Sequence, residues 1–381
     1  MAELVDSIEI EDIYEQEISF LIGSGASSGI FPTLATAMKI NKNQWETIET
    51  LGQYFDEMEK KELKTLLFMH YYKQCIKPVM TFNWEDEKKC DSLINESKTQ
   101  VIDNYKKLIC TLYDLLQVRK EHGKIINIFT TNYDSCVVDA YEELLREEKI
   151  SLNLNDGAKG FKTKFLEARH FDSIEVQKGV FDNSEYKIPQ LNIIHLHGSV
   201  YWIKNGESIQ VKYHGNNQNR FIDIATPELE HFKSVIECPN SKRTDFEDIK
   251  FADNFHKLSS EFWEKYSALP IVNPTKWKFH ETVFEEHYYQ MLRYMSYILE
   301  KKNSILVVFG FSFADEHIRN LIKRSLGNRT LTMFICCYDE QSYQAIYPWF
   351  KEYKNVKFVK IDKTMDFSIF NSDIFSMSSH K

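Results

Sequence analysis

One pattern recurs along the chain without an internal sequence repeat: an apolar run of strand length stops abruptly at a short polar cluster. Ile18–Ile22 runs into Gly23-Ser24-Gly25-Ala26-Ser27-Ser28-Gly29, and Lys124–Phe129 into Thr130-Thr131-Asn132-Tyr133-Asp134. Leu191–Leu196 runs into His197-Gly198-Ser199, and Ser304–Phe309 into Gly310-Phe311-Ser312-Phe313-Ala314-Asp315-Glu316-His317. Further apolar runs lie at Leu331–Cys337 and Val356–Ile361, and Ala268–Val272 is a candidate strand. Strands that alternate with helix-length stretches predict an α/β fold with a doubly wound parallel sheet. Ligands of such sheets bind at the carboxyl ends of the strands. The four polar clusters all follow strands, so they are expected to form one pocket.

Between the first two of these strands the pattern changes. Residues 41–121 lose the strand signal, and Val101, Tyr105, Leu108, Ile109, Leu112, Leu115 and Leu116 recur at helical spacing. Leu63, Leu66, Leu67 and His70 mark another helix. The expected organisation is an N-terminal arm over 1–17, a core over 18–40 and 122–365, an all-helical insertion over 41–121 and a C-terminal tail over 366–381, frayed after Asp373. A helix is expected to start near Pro32. Residues 148–190 read as loops and small strands. Residues 203–264 read as a polar region with helices and an Asn-rich patch at 215–219.

Composition narrows the function classes. Hydrophobic residues make up 43% of the 381, with Phe 27 and Tyr 20, enough for a large aromatic core. The net charge is −9 with no basic run, so nucleic-acid binding is not expected as the main activity. The 7 cysteines contain no C-x-x-C pair, which removes zinc-ribbon spacing and suggests reduced thiols. With no apolar leader and no membrane-length apolar run, a cytoplasmic chain is expected.

Each cluster has two readings. The glycine turn brings backbone N–H groups toward a diphosphate, with a helix N-terminus behind it, or it is only a tight connection. Asn132 orients water beside an electrophilic carbon, or it caps the following helix. His197 is a general base, since imidazole titrates near neutrality. His195 and His197, two apart, face the same side and could share a metal, although no third ligand is indicated. Gly25-Ala26-Ser27-Ser28-Gly29 also matches the G-x-S-x-G elbow of serine hydrolases, but it follows the first core strand, earlier than that fold normally places it. Gly310, Phe311 and Ser312 could meet a phosphate or ribose, or begin a helix with Ser312 or Asp315 as cap. Asp339 binds ribose hydroxyls or sits in a surface turn.

Taken together the clusters resemble the sirtuin-like fold. Gly23-Ser24-Gly25-Ala26-Ser27 is similar to the sirtuin Gly-Ala-Gly-x-Ser, and Thr130-Thr131-Asn132-Tyr133-Asp134 to Thr-Gln-Asn-Ile-Asp. Leu196-His197-Gly198 matches Leu-His-Gly, and Gly310-Phe311-Ser312 stands for Gly-Thr-Ser. The octapeptide from Gly310 to His317 looks like the divergent prokaryotic branch linked to anti-phage defence. The resemblance implies a Rossmann-like core with NAD as substrate. Gly23, Ser24, Gly25, Ala26 and Ser27 would hold the diphosphate, with Thr131 beside them. Asp134 would hold the nicotinamide carboxamide, Asn132 and His197 the reacting ribose, and Gly310 and Ser312 would face the adenosine side, with Phe311 and Asp339 also expected among the cofactor-binding residues. The four-Cys zinc module of sirtuin deacylases is missing, so no zinc is expected. Their Asp-Phe-Arg is missing too: Ser28-Gly29-Ile30 leads to Phe31-Pro32-Thr33. Both departures point away from a deacylase and toward an NAD glycohydrolase that depletes NAD in defence. A sensor of NAD or ADP-ribose without turnover is the alternative. Homo-oligomerisation and a HerA-type hexameric ATPase partner are further implications.

Overall fold

Alternation along the strands builds the central layer. In Glu17–Ile22, Ile18, Phe20 and Ile22 point into one apolar cluster and Leu21 into another. Ser304–Phe309 repeats this: Ile305, Val307 and Phe309 face the first cluster, Leu306 and Val308 the second. A strand buried on both faces belongs inside a parallel sheet covered by helices. The structure, a computed structural model, describes residues 1–33, 35–41, 44–89, 94–119, 123–179, 181, 184–213, 221–272 and 282–377. The Asn-rich patch expected at 215–219 lies outside the described residues.

The fold is α/β, Rossmann-like and doubly wound. Eight strands form the main sheet in the spatial order Glu3–Val5, Val356–Val359, Thr332–Cys336, Ser304–Phe309, Glu17–Ile22, Ile125–Thr130, Gln190–His195 and Asn153–Asn155. Every neighbouring pair is parallel. From Glu17–Ile22 the chain builds outward on one side through Ile125–Thr130. It later returns to Ser304–Phe309 and builds outward on the other side. The order therefore reverses between Glu17–Ile22 and Ser304–Phe309, and a crevice at such a point is where ligands bind in open α/β sheets.

Helices Thr282–Glu300, Glu316–Ser325 and Glu340–Phe350 contribute to one face. The other face carries Ile94–Val118, Cys136–Arg146 and the helices of the insertion. Lys61–Tyr71 packs beside Phe255–Ser267, with the Phe68 ring 5.0 Å from Trp263 and 5.5 Å from Tyr266. Phe55 likewise meets Phe232 and Phe246. A second stretch of chain, 227–267, thus joins the helical layer.

Several expectations are corrected. No helix starts near Pro32; Ala35–Asn41 pairs with Gln44–Thr47 as an antiparallel hairpin, so the insertion is not all helical. The N-terminal arm supplies an edge strand of the main sheet, Glu3–Val5. Ala268–Val272 makes only a bridge between Ile271 and Gly198. The tail is not frayed through Phe375: Ile374 and Phe375 are buried, and the Phe375 ring stands edge-on to Phe20 at 5.2 Å.

One buried titratable group predicts an acid response. His70, on Lys61–Tyr71, is pushed down to about 4 from 6.5 by burial, helped by Lys233 and Lys73. The unfolded chain binds the proton below 6.5 and the folded chain resists it, so stability falls as pH drops from 6.5 toward 4. The loss is on the order of 3 kcal/mol across that window. In His70→Gln, urea unfolding at pH 7 and pH 4.5 should show a flatter dependence than in the native protein. Equal slopes would remove His70 as the cause.

Candidate active site

Two glycine turns meet at the point where the strand order reverses. The Gly23 N–H donates to Phe309 O at 3.0 Å and the Gly25 N–H to Gly310 O at 3.0 Å. A Cβ on Gly23 would lie 2.4 Å from Gly310 O, and one on Gly25 2.8 Å from Gly310 Cα. Gly310 itself has φ +65°, a region that favours glycine. The glycines therefore let two backbones touch. The Ala26 N–H is also bonded within the turn, to Gly23 O at 3.1 Å. The long helix expected behind this turn is absent; Ser24–Ser27 form a single 3-10 turn. The N–H groups of Gly23, Gly25 and Ala26 thus serve the fold first.

A cleft of about 820 Å³ opens over this junction, within the roughly 300–1,000 Å³ usual for small-molecule sites. All four polar clusters border it: Ser24–Gly29, Thr131–Asp134, His197, and Gly310–Ser312 with Ala314 and Asp315. Of the residues singled out in the sequence, Ser24, Gly25, Ala26, Ser27, Thr131, Asn132, Asp134, His197, Gly310, Phe311 and Ser312 come together here. Gly23 lies behind the lining. Asp339 is not at the cleft; it caps Glu340–Phe350, its Oδ1 accepting from the Ser342 N–H at 2.8 Å.

Asn132 is fixed by its own surroundings and does not cap the helix. The N-cap of that helix is Ser135, without a side-chain cap bond, and Asp134 Oδ1 accepts from the Cys136 N–H at 3.0 Å. The Asn132 N–H donates to Thr130 Oγ1 at 3.0 Å, and Nδ2 donates to Ser27 Oγ at 3.2 Å. Ser27 Oγ also pairs with the Tyr105 hydroxyl at 2.9 Å. The remaining atom of the amide, Oδ1, is buried without a hydrogen-bond partner. Buried polar atoms are almost always paired, so an unpaired carbonyl oxygen on a residue that lines the cleft is a functional clue.

His197 follows the Gln190–His195 strand, and its Nε2 lies 3.0 Å from Asp315 Oδ2. His195 is placed differently. Its Nδ1 is 3.0 Å from Asn132 O and its Nε2 is buried without a partner, while burial lowers its pKa. His197 lines the cleft and His195 does not. Among the described residues no group of three or more His, Cys, Asp or Glu side chains could hold a metal ion.

The chain matches no protein-family model, and no curated protein matches it. The geometry therefore has to carry the reading.

The cleft excludes two covalent chemistries. Cys75 and Cys336 line it, but burial pushes the Cys75 thiol up to about 12 and raises Cys336 as well, so neither is a thiolate nucleophile. Ser27 Oγ is bonded to Tyr105 and Asn132, and among the described residues no histidine is bonded to it. Ser27 also lacks the left-handed backbone of a strained elbow. The lining carries four carboxylates, Glu49, Asp134, Asp315 and Asp366, and among the described residues no Lys or Arg. Such a site favours positive charge developing inside it.

Sequence reasoning missed the part of the lining that comes from outside the four clusters. Glu49, Tyr71, Gln100 and Asn104 come from the insertion, and Asp366 and Ser368 from the C-terminal segment. Ser368 Oγ donates to Asn104 Oδ1 at 3.1 Å, joining the two. In the sequence Tyr105 falls in an apolar helical stripe. A buried phenol needs a polar partner, and that requirement was its one local signal.

Proposed function

We propose that the protein is an NAD glycohydrolase, adding water to C1′ of the nicotinamide ribose to release nicotinamide, ADP-ribose and a proton. The observation that carries this reading is the meeting of Asn132, with its unpartnered Oδ1, and His197 in one cleft. The C1′–nicotinamide bond stretches toward an oxocarbenium-like sugar, and a lining that among the described residues has four carboxylates and no Lys or Arg suits that charge. Asn132 Oδ1 can accept from the attacking water or a ribose hydroxyl. The imidazole of His197 removes the proton as general base. The diphosphate is assigned to the Ser24–Ser28 edge, the adenosine side to Gly310 and Ser312, and the nicotinamide carboxamide to Asp134.

The resemblance to the divergent sirtuin-like branch supports the same assignment. It also carries, as proposals, a role in prokaryotic anti-phage defence, a cytoplasmic location, self-association and a HerA-type ATPase partner. Among the described residues no helix is long and apolar enough to cross a membrane.

The reading is tested by incubating the protein with NAD in ¹⁸O-water. The expected products are nicotinamide and ADP-ribose in equal amounts, with one label on the ribose. Tight NAD binding without nicotinamide release would favour a sensor instead.

A further inference from the structure

We infer that Asp315 is the positioning residue of His197, fixing which ring nitrogen is left to act as base. For its effect on rate this inference rests on the NAD-cleaving reading; for the ring geometry it stands alone.

Asp315 is 8% exposed and uses both carboxylate oxygens at once. Oδ1 accepts from the Ile318 N–H at 3.0 Å, capping the ten-residue helix Glu316–Ser325. Oδ2 lies 3.0 Å from His197 Nε2. A helix N-terminus favours the ionised carboxylate. An ionised carboxylate can only accept, so Nε2 carries the hydrogen and Nδ1 keeps the lone pair. The neutral imidazole is thereby held in one tautomer, with Nδ1 as the basic atom.

Both ends of this contact are anchored. Phe313 sits at φ +59°, a conformation that strains a bulky residue. Its carbonyl accepts from Arg319 NH1 at 2.6 Å, and the Arg319 guanidinium lies 4.5 Å over the Trp349 ring. The Phe313 ring is buried 4.8 Å from Phe350. On the other side, His197 O accepts from the Val272 N–H at 2.8 Å. A strained loop held this firmly brings Asp315 to His197 as a fixed part.

Two substitutions separate positioning from capping. Asparagine has one acceptor oxygen where aspartate has two. If that oxygen caps the helix, its NH₂ faces Nε2, which must then accept, and the hydrogen moves to Nδ1. Serine also caps helices but is too short to reach the ring. The test records ring ¹H–¹⁵N spectra of the full chain, with the His197 signals assigned from His197→Ala. Nicotinamide-release kinetics and thermal midpoints are measured on the same samples.

The native protein is expected to show His197 as the Nε2–H tautomer. Asp315→Asn should show Nδ1–H, and Asp315→Ser a mixture. In both variants kcat should fall about 10²–10⁴-fold, with KM within about threefold and thermal midpoints close to native. An unchanged Nε2–H signal in both variants overturns the inference. So does native kcat in both variants, with the NAD-cleaving reading left standing. If no variant and no native sample releases nicotinamide, that reading fails, and the tautomer spectra still decide the positioning.

Discussion

Asn132→Ala is expected to slow nicotinamide release about 10²–10³-fold while the protein stays folded. The substitution removes the unpartnered Oδ1 beside the cleft, the atom that the mechanism gives to the attacking water or a ribose hydroxyl. It also removes the Nδ2 bond to Ser27 Oγ, whose hydroxyl keeps the Tyr105 partner at 2.9 Å. The structural penalty is therefore about one hydrogen bond, on the order of 1 kcal/mol. Release rates and thermal midpoints on matched samples check this. A native rate in a folded Asn132→Ala protein would take the amide out of the mechanism.

Gly310→Ala is expected to be among the most destabilising single changes in the chain, by about 3–5 kcal/mol. Two effects add. The φ of +65° disfavours any Cβ. The new methyl would also stand 2.7 Å from Ala26 N and 3.1 Å from Gly25 Cα, both backbone atoms that cannot turn aside. Gly206 supplies the control. Its φ is +64°, and a Cβ there meets nothing within 4 Å. Gly206→Ala should therefore cost only the backbone term, about 1–2 kcal/mol. Urea midpoints compare the two. Equal losses would mean that the packing of the two turns contributes little.

The sheet was readable because its strands are unbroken apolar runs that end at polar clusters. Ser304–Phe309 is buried at every position, and such a run has few other places to go. The convergence of the four clusters followed from topology, since parallel strands share a carboxyl edge. The hairpin at Ala35–Asn41 was not readable. Ala, Met and Lys are good helix formers, and the strand state depends on pairing with Gln44–Thr47 and on burying Met38. Phe375 looked like a loose end because its burial depends on Phe20, far away in sequence. Asp315 shows both sides. Its local role, the helix cap, was visible as one reading of the octapeptide. Its contact with His197 spans 118 positions and has no local sign. The glycine turn was found for a partly wrong reason: its N–H groups at 23, 25 and 26 bond within the fold, and its glycines let two turns pack.

The most direct test compares nicotinamide release from NAD by the native protein, Asn132→Ala, His197→Ala and the double variant. Two groups that act as a unit on one sugar carbon lose their effect together. Each single variant is expected to fall at least about 10²-fold, and the double variant to fall within about tenfold of the slower single. Release at the native rate in both single variants would contradict a shared role for Asn132 and His197 at the labile bond.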